Sequence, residues 1–494
     1  MKWLVLSLGL ALPLASPAAE APPAMSPEAK PVPYDPKAFA PDPGYADKPY
    51  DPDAQLQIYG GKQPVTNPRP MLELGRPMYQ GGPYNAPGYG LGRKNPIDQA
   101  FSIYGDWRTA VARNNNGAGP SNILATRLNL DVDWKLTGTE RVHAFFRPLD
   151  HNTEFTRCER SPAFDGTRCE AELDLKPEAL FFEGDLGAIV SGMRNRYTSW
   201  DLPIAFGKMP LLFQNGIWLE DAITGFAFTV PARNSRRLDI SNMDVTFFAA
   251  FDDVDSGGVR DARGGVASRD AHIYGVTSFI EANQGYWELG YAYTRGRGEL
   301  FRDQSHHNVA AAFTRRYFDR LSNSVRVIHN FGQDRDAGAA RTANGTLLIL
   351  ENSLVTRRPL TLVPYLNVFF AHDRPQSVAR AVDAGGILKN VGINFETDGL
   401  TGFPKLDDTG ANTRGGALGV EYLFDLQQQV VFEAATVRPR GDASRTIAGS
   451  QTALGVRYQR ALGKAWLARA DVIVAERENL RDLGGIRFEL RRKF

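Results

Sequence analysis

The strongest signal along the chain is an alternation of apolar and polar positions with a repeat of two. Over residues 126–134, Leu128, Leu130, Val132 and Trp134 fall on one side. Arg127, Asn129, Asp131 and Asp133 fall on the other. The alternation returns at 287–294, 418–424, 454–459 and 466–474. It closes the chain at 486–494, where Ile486, Phe488, Leu490 and Phe494 oppose Arg487, Glu489, Arg491 and Lys493. Successive side chains of a strand point to opposite faces, so each run predicts a β-strand with one oily and one charged face. Runs of about 8–12 residues suit a strand that crosses a bilayer at barrel tilt.

The connections alternate in length. Short turns are predicted near 136–139, 282–285, 318–322, 426–429 and 461–464. Long connections rich in Gly, Asp, Asn and Arg are predicted near 149–172, 254–269, 296–306, 332–344, 373–413 and 438–449. The pattern predicts an all-β, antiparallel, up-and-down transmembrane barrel of about 18 strands, with 16 as the alternative. Pro203, Pro210 and Pro231 predict bends or early strand ends between 184 and 243. Trp134, Trp287, Tyr291, Tyr422, Tyr458, Trp466 and Phe494 fall on the oily faces, as an interfacial aromatic girdle requires. A soluble sandwich also alternates, but it has no need of charge on the second face of so many strands.

The N-terminal fifth has a different texture. Met1-Lys2, an apolar run to Leu14 and small residues after it read as a secretory signal, with cleavage near Ala18, Ala19 or Ala21. Nineteen of the 31 prolines lie in the first 100 residues, which excludes helices and central strands over most of that stretch. The expected organisation is a signal peptide (1–19), a Pro/Tyr/Gly-rich periplasmic leader or partial plug (20–100) and an outer-membrane barrel (101–494). No stretch approaches about 18 consecutive apolar residues, so no helical span is expected.

Composition narrows the functional classes. A net charge of +1 gives no bulk attraction to nucleic acid. A mean hydropathy of −0.32 is polar for a membrane protein but fits a barrel, where only alternate strand residues meet lipid. The two cysteines, Cys158 and Cys169, are close in sequence and predict one disulfide pinning a loop. No cofactor motif is present, and neither metal-ligand spacing nor a nucleophile–base arrangement points to an enzyme.

The signal segment together with the terminal strand 486–494 resembles bacterial outer-membrane β-barrels. In that family the final aromatic residue, here Phe494, belongs to the signal read by the barrel-assembly machinery. Arg492 departs from the pattern, where an apolar residue is usual. The segment 204–216, with Gly207-Lys208 followed by Leu211-Leu212-Phe213 and Gly216, is similar to alginate-export and substrate-selective porins. The resemblance implies residence in the bacterial outer membrane, in contact with the lipid bilayer and lipopolysaccharide.

In such a barrel the chemistry lies in the lumen. The residues expected to line it and set its selectivity are Arg127, Asp131, Asp133, Arg141, Arg147, Arg457, Arg469, Asp471 and Arg487. Both signs occur, with Arg in excess, which would favour small polar or anionic solutes through bidentate contacts. Residues 373–413 form the longest break; folded inward they would constrict the channel, and outside they would be a surface loop. The leading reading is a porin-like channel. The alternative is a structural or export barrel of an envelope complex, with residues 20–98 holding a periplasmic partner.

Overall fold

The computed structural model describes residues 68–75, 94–95 and 97–494, except 152–153, 163–165, 336–338, 359–360, 397–398, 426 and 442–445. The expected signal peptide and most of the expected leader lie outside the described residues.

Eighteen antiparallel strands close into a barrel, so the alternative of 16 falls. In chain order, β1 to β6 are Ile97–Asn115, Pro120–Thr137, Arg141–Phe146, Pro177–Asp185, Pro203–Phe213 and Leu219–Ser235. Strands β7 to β12 are Ile240–Asp252, Ala271–Ala282, Gly285–Gly296, His306–Tyr317, Leu321–Phe331 and Asn344–Leu354. Strands β13 to β18 are Leu362–Arg374, Thr413–Asp425, Gln428–Pro439, Gln451–Ala461, Trp466–Arg477 and Leu483–Lys493. Each pairs with its sequence neighbours, and β1 pairs with β18 from Asp106↔Lys493 to Asn115↔Gly484. Phe494 exchanges backbone hydrogen bonds with Gly105 at 2.9 and 3.1 Å, completing the seam.

The first barrel strand begins at Ile97, slightly ahead of the expected boundary. Below Gly105 the chain has run out of β18. There the short strand Leu72–Gly75 pairs with Ala100–Ile103 on the edge that β2 leaves open. An uncovered edge is a template for wrong pairing, and this segment covers it.

The outward face is apolar and exposed: Trp107, Leu124, Trp134, Phe226, Leu418, Phe432, Leu454, Val474 and Ile486 all present large side chains. A water-soluble chain rarely shows an apolar patch of that extent, whereas hydrocarbon requires it. Outward-facing Arg492, the departure from the terminal pattern, places its guanidinium 5.6 Å from the centre of the Trp466 ring, a cation–π contact suited to the membrane interface.

Three local features differ from expectation or refine it. Pro210 does not end β5; it lies beyond Lys208, where β4 has stopped pairing, so the ladder loses little by its missing N–H. Pro231 lies within β6 at a register shift against β7 between Val230 and Arg233, a bulge that absorbs it. Between β4 and β5 the chain forms a helix, α1 (Leu186–Arg194), which the strand pattern does not predict. Asp185 caps it by accepting from Ala188 N at 2.7 Å, and left-handed Asn195 ends it. The predicted disulfide joins Cys158 to Cys169 across the hairpin of Arg157–Arg160 and Arg168–Glu170, which pairs with Asn122–Ala125 of β2 beyond the end of the short β3.

The interior is divided. Residues 375–412, the long connection between β13 and β14, fold into the lumen rather than over the rim. The β5–β6 connection dips in beside them. Trp218, Val378, Leu388, Val391, Phe395 and Leu406 pack on Ile223, Phe248, Ile273, Ile328, Leu347, Ile349 and Phe369 of the wall. Small inward residues make room: Ala292, Ala310, Ala417, Ala435 and Ala453 are all buried. A Cβ on Gly290 would lie 2.6 Å from the Trp218 ring, and one on Gly455 would lie 2.3 Å from Asn394 Oδ1. The lumen side of β6 to β15 is thus largely a packed apolar core, which continues onto Ala453, Ile473, Ala475 and Leu483 of β16 to β18 and is interrupted by Arg326, 3.8 Å from Glu288 and 3.5 Å from Glu351.

Candidate functional site

The wall from β16 through β18 to β1, β2 and β3 carries most of the charge. Strand parity turns Arg457, Arg469, Asp471, Arg487, Glu489 and Arg491 inward, opposite lipid-facing Leu454, Val472, Ile486 and Phe488. Register then sets them in rows. Asp471 lies directly between Arg457 and Arg487. Arg127, Arg108 and Arg491 lie side by side across β2, β1 and β18. Like charges in one row repel, so the site needs interleaved carboxylates to fold.

It has them. Asp471 takes Arg457 Nε at 2.7 Å, Arg469 Nε at 2.9 Å and Arg487 Nη2 at 2.8 Å. Glu489 takes Arg491 Nη2 at 3.1 Å, and Asp106 takes Arg108 Nε at 3.2 Å. Asp150, from the β3–β4 connection, lies 2.5 Å from Arg127 Nε. Burial pushes the Asp150 carboxyl above the ordinary carboxylate range, and the Arg127 and Arg147 charges pull it back. Two carboxylates arrive from the inward loop: Asp383, 2.6 Å from Arg147 Nη1, and Glu396, 2.5 Å from Arg457 Nη1. Aromatic faces border the row, with Phe155 below the Arg127 guanidinium at 4.8 Å and Phe403 below that of Arg487 at 5.3 Å.

The nine residues singled out from the sequence therefore fall into three groups. Arg457, Arg469, Asp471 and Arg487 form one network. Arg127 and Arg147 share Asp383. Asp131, Asp133 and Arg141 lie nearer the opposite mouth, where Arg141 pairs with Glu183 and sits 3.7 Å from Asp133. Arg108, Asp106 and Asp150 were not among the expected lumen residues, and Asp383 and Glu396 were expected only as charges of the 373–413 connection, in the lumen if it folds inward. The alternation of Tyr104, Asp106 and Arg108 around Trp107 carries a signal for the first two. The other three come from irregular segments, where parity gives none.

The dry half is pinned to the wall by polar staples. Glu433 accepts from Ile393 N at 2.8 Å, Asn394 N at 2.9 Å and Tyr365 Oη at 2.5 Å. Glu220 holds Arg380 at 3.0 Å and Lys389 at 2.5 Å. Trp218 donates Nε1–H to Asn308 Oδ1 at 2.8 Å, and Arg326 donates to Gln214 Oε1 at 3.0 Å.

Solved structures match this arrangement of strands. Pseudomonas aeruginosa OpdL aligns with a TM-score of 0.50 at 13% identity, covering 80% of this chain and 98% of its own. P. aeruginosa OpdO aligns with a TM-score of 0.50 at 10% identity, covering 80% and 97%. The P. aeruginosa outer-membrane protein OpdK gives 0.49 at 10% identity, covering 80% and 98%. The fold is that of a bacterial outer-membrane porin. At these identities the likeness is one of architecture, and the residues of the charged wall rest on the geometry above. No family model and no curated protein matches the chain.

Proposed function

We propose that the protein is a selective channel passing small polar and anionic solutes across the outer membrane along the charged arc of its lumen. The observation that carries this reading is the division of the interior. Apolar packing fills most of the lumen side of β6 to β15 and reaches onto one end of the other strands, and on those strands the guanidinium groups of Arg457, Arg469, Arg487, Arg491, Arg108, Arg127 and Arg147 gather. A guanidinium row in a narrow, partly dehydrated passage attracts carboxylates and phosphates through forked contacts and repels cations.

The same reading places the outward band in lipid, beside lipopolysaccharide in the outer leaflet, with Phe494 presented to the assembly machinery. The loops that cross the lumen weigh against a wide export duct. A periplasmic partner held by residues 20–98 remains the second reading, favoured by one observation: Leu72–Gly75 tethers that segment to the barrel rim.

The test is the reversal potential of the full mature chain in a planar bilayer under a potassium chloride gradient. Anion selectivity supports the channel. Cation selectivity, or a membrane that stays silent, overturns it.

A further inference from the structure

Asp383 and Glu396 differ from the other carboxylates of the charged wall in coming from the inward loop between β13 and β14; exposure alone does not set Asp383 apart, since Asp106 of β1 has 21% side-chain exposure. Asp471 is almost fully buried and serves three arginines at once. Asp150 is equally buried. Those are fixed counter-charges. Asp383 and Glu396 come from the inward loop and reach the arginines from the water side, with side-chain exposures of 15% and 38%. Asp383 Oδ2 lies 2.6 Å from Arg147 Nη1 and 3.5 Å from Arg127 Nη2. Glu396 Oε2 lies 2.5 Å from Arg457 Nη1, and its Oε1 lies 3.9 Å from Arg469 Nη2.

The loop is seated by other contacts. Val378 N donates to Trp218 O at 2.8 Å, and Ala381 N to Glu220 O at 2.9 Å. Leu388, Val391 and Phe395 are in the dry core, and Glu433 holds residues 393 and 394. Nothing in that seating requires a negative charge at 383 or 396. The two carboxylates are instead placed where a passing carboxylate would bind.

We propose that Asp383 and Glu396 are tethered stand-ins for a solute carboxylate, occupying two arginine seats, Arg127–Arg147 and Arg457–Arg469, that a small carboxylate takes by displacing them. This rests on the channel reading above. Exchange of one carboxylate for another never leaves a guanidinium unpaired in a low-dielectric passage, so the solute crosses without the cost of breaking an ion pair outright. A spherical chloride cannot reproduce the forked contact, so the device discriminates for carboxylates. Because the occupants are tethered, they compete at a high effective concentration and lower the apparent affinity for the solute.

The experiment is block of single-channel chloride current by succinate, in wild type and in the double variant Asp383→Asn/Glu396→Gln. The proposal predicts that the half-blocking succinate concentration falls roughly three-fold or more in the variant. An unchanged or higher concentration, in a wild type that is itself anion-selective and blocked by succinate, overturns the stand-in while leaving the channel reading intact. A wild type indifferent to anions overturns both. Should the variant not assemble, hydrogen exchange on the wild-type barrel decides. Succinate should loosen residues 382–396 where neutral succinamide does not, and equal exchange with both overturns the proposal.

Discussion

Trp218→Ala removes the side chain on which the dry half of the lumen turns. Trp218 is fully buried, packs against Phe213 and Phe248 at ring-centre distances of 6.3 and 6.2 Å, and lies against Gly290. An aromatic ring burying about 150–250 Å² contributes ~4–6 kcal/mol as an upper bound at about 25 cal/mol per Å². Measured truncations of this kind cost about 3–5 kcal/mol. Loss of the indole N–H also strands Asn308 Oδ1. The barrel is held by a closed ring of strand ladders, so the cost should appear locally, as opening of the inward loop. The reporters are the Val378 and Ala381 amides, bonded to Trp218 O and Glu220 O. A loss of about 3 kcal/mol lowers their protection against hydrogen exchange by roughly two orders of magnitude, with exchange in β16 to β18 unchanged and chloride conductance raised. Protection within about threefold of wild type, or a uniform fall across all strands, would refute the argument that this ring locks the loop.

Other perturbations probe separate parts. Gly485→Val should force Phe403 and Pro404 off the wall, since a Cβ there would lie 2.9 and 2.8 Å from them; a loss of about 1–3 kcal/mol in thermal unfolding is expected. Burial raises Asp407 above the ordinary carboxylate range, aided by Asp408 and opposed by Thr409. Its ionised form is thus disfavoured in the folded loop. Stability is therefore gained as pH falls from the raised folded pKa toward the unfolded value near ~3.9. Exchange protection over 405–412, corrected for intrinsic rate, should rise as pH falls toward the unfolded carboxylate value, and Asp407→Asn should flatten that rise. Reduction of Cys158–Cys169 should cost about 2–3 kcal/mol within the β3–β4 connection alone, seen as faster proteolysis there with barrel melting unchanged.

Much of the wall was legible because lipid on one side and water on the other force a strict repeat of two. Residues 126–134, 454–459, 466–474 and 486–494 show it with few breaks, Leu467, Ile473 and Arg492 among them, and their parity assigned Arg127, Asp131, Asp133, Arg457, Arg469, Asp471 and Arg487 to the lumen. The dry half was harder to see. Its inward positions are either small, as Gly290, Ala292, Ala310 and Ala417, or as apolar as the lipid face, as Ile273, Ile328 and Leu347, so neither marks a face, and their partners lie in a segment without periodicity. The prolines misled where local geometry relieves them: Pro210 on a stretch that has lost one neighbour, Pro231 at a bulge. Helix α1 was missed because its nine residues sit between two strand-like runs and include Gly187, Ile189, Val190 and Gly192, all weak helix formers; the one cue was Asp185 ahead of Leu186, a residue suited to cap a helix.

The division of the lumen is tested most directly by asking which inward positions meet water. Single cysteines can be placed in a Cys158→Ser/Cys169→Ser background and treated with a charged methanethiosulfonate while current is recorded. Asp131→Cys and Asp133→Cys should react quickly and alter the current, while Ala310→Cys and Ala435→Cys, inward but packed under the loop, should stay unmodified. Equal reaction rates at all four positions would show a lumen hydrated all round and would contradict the account.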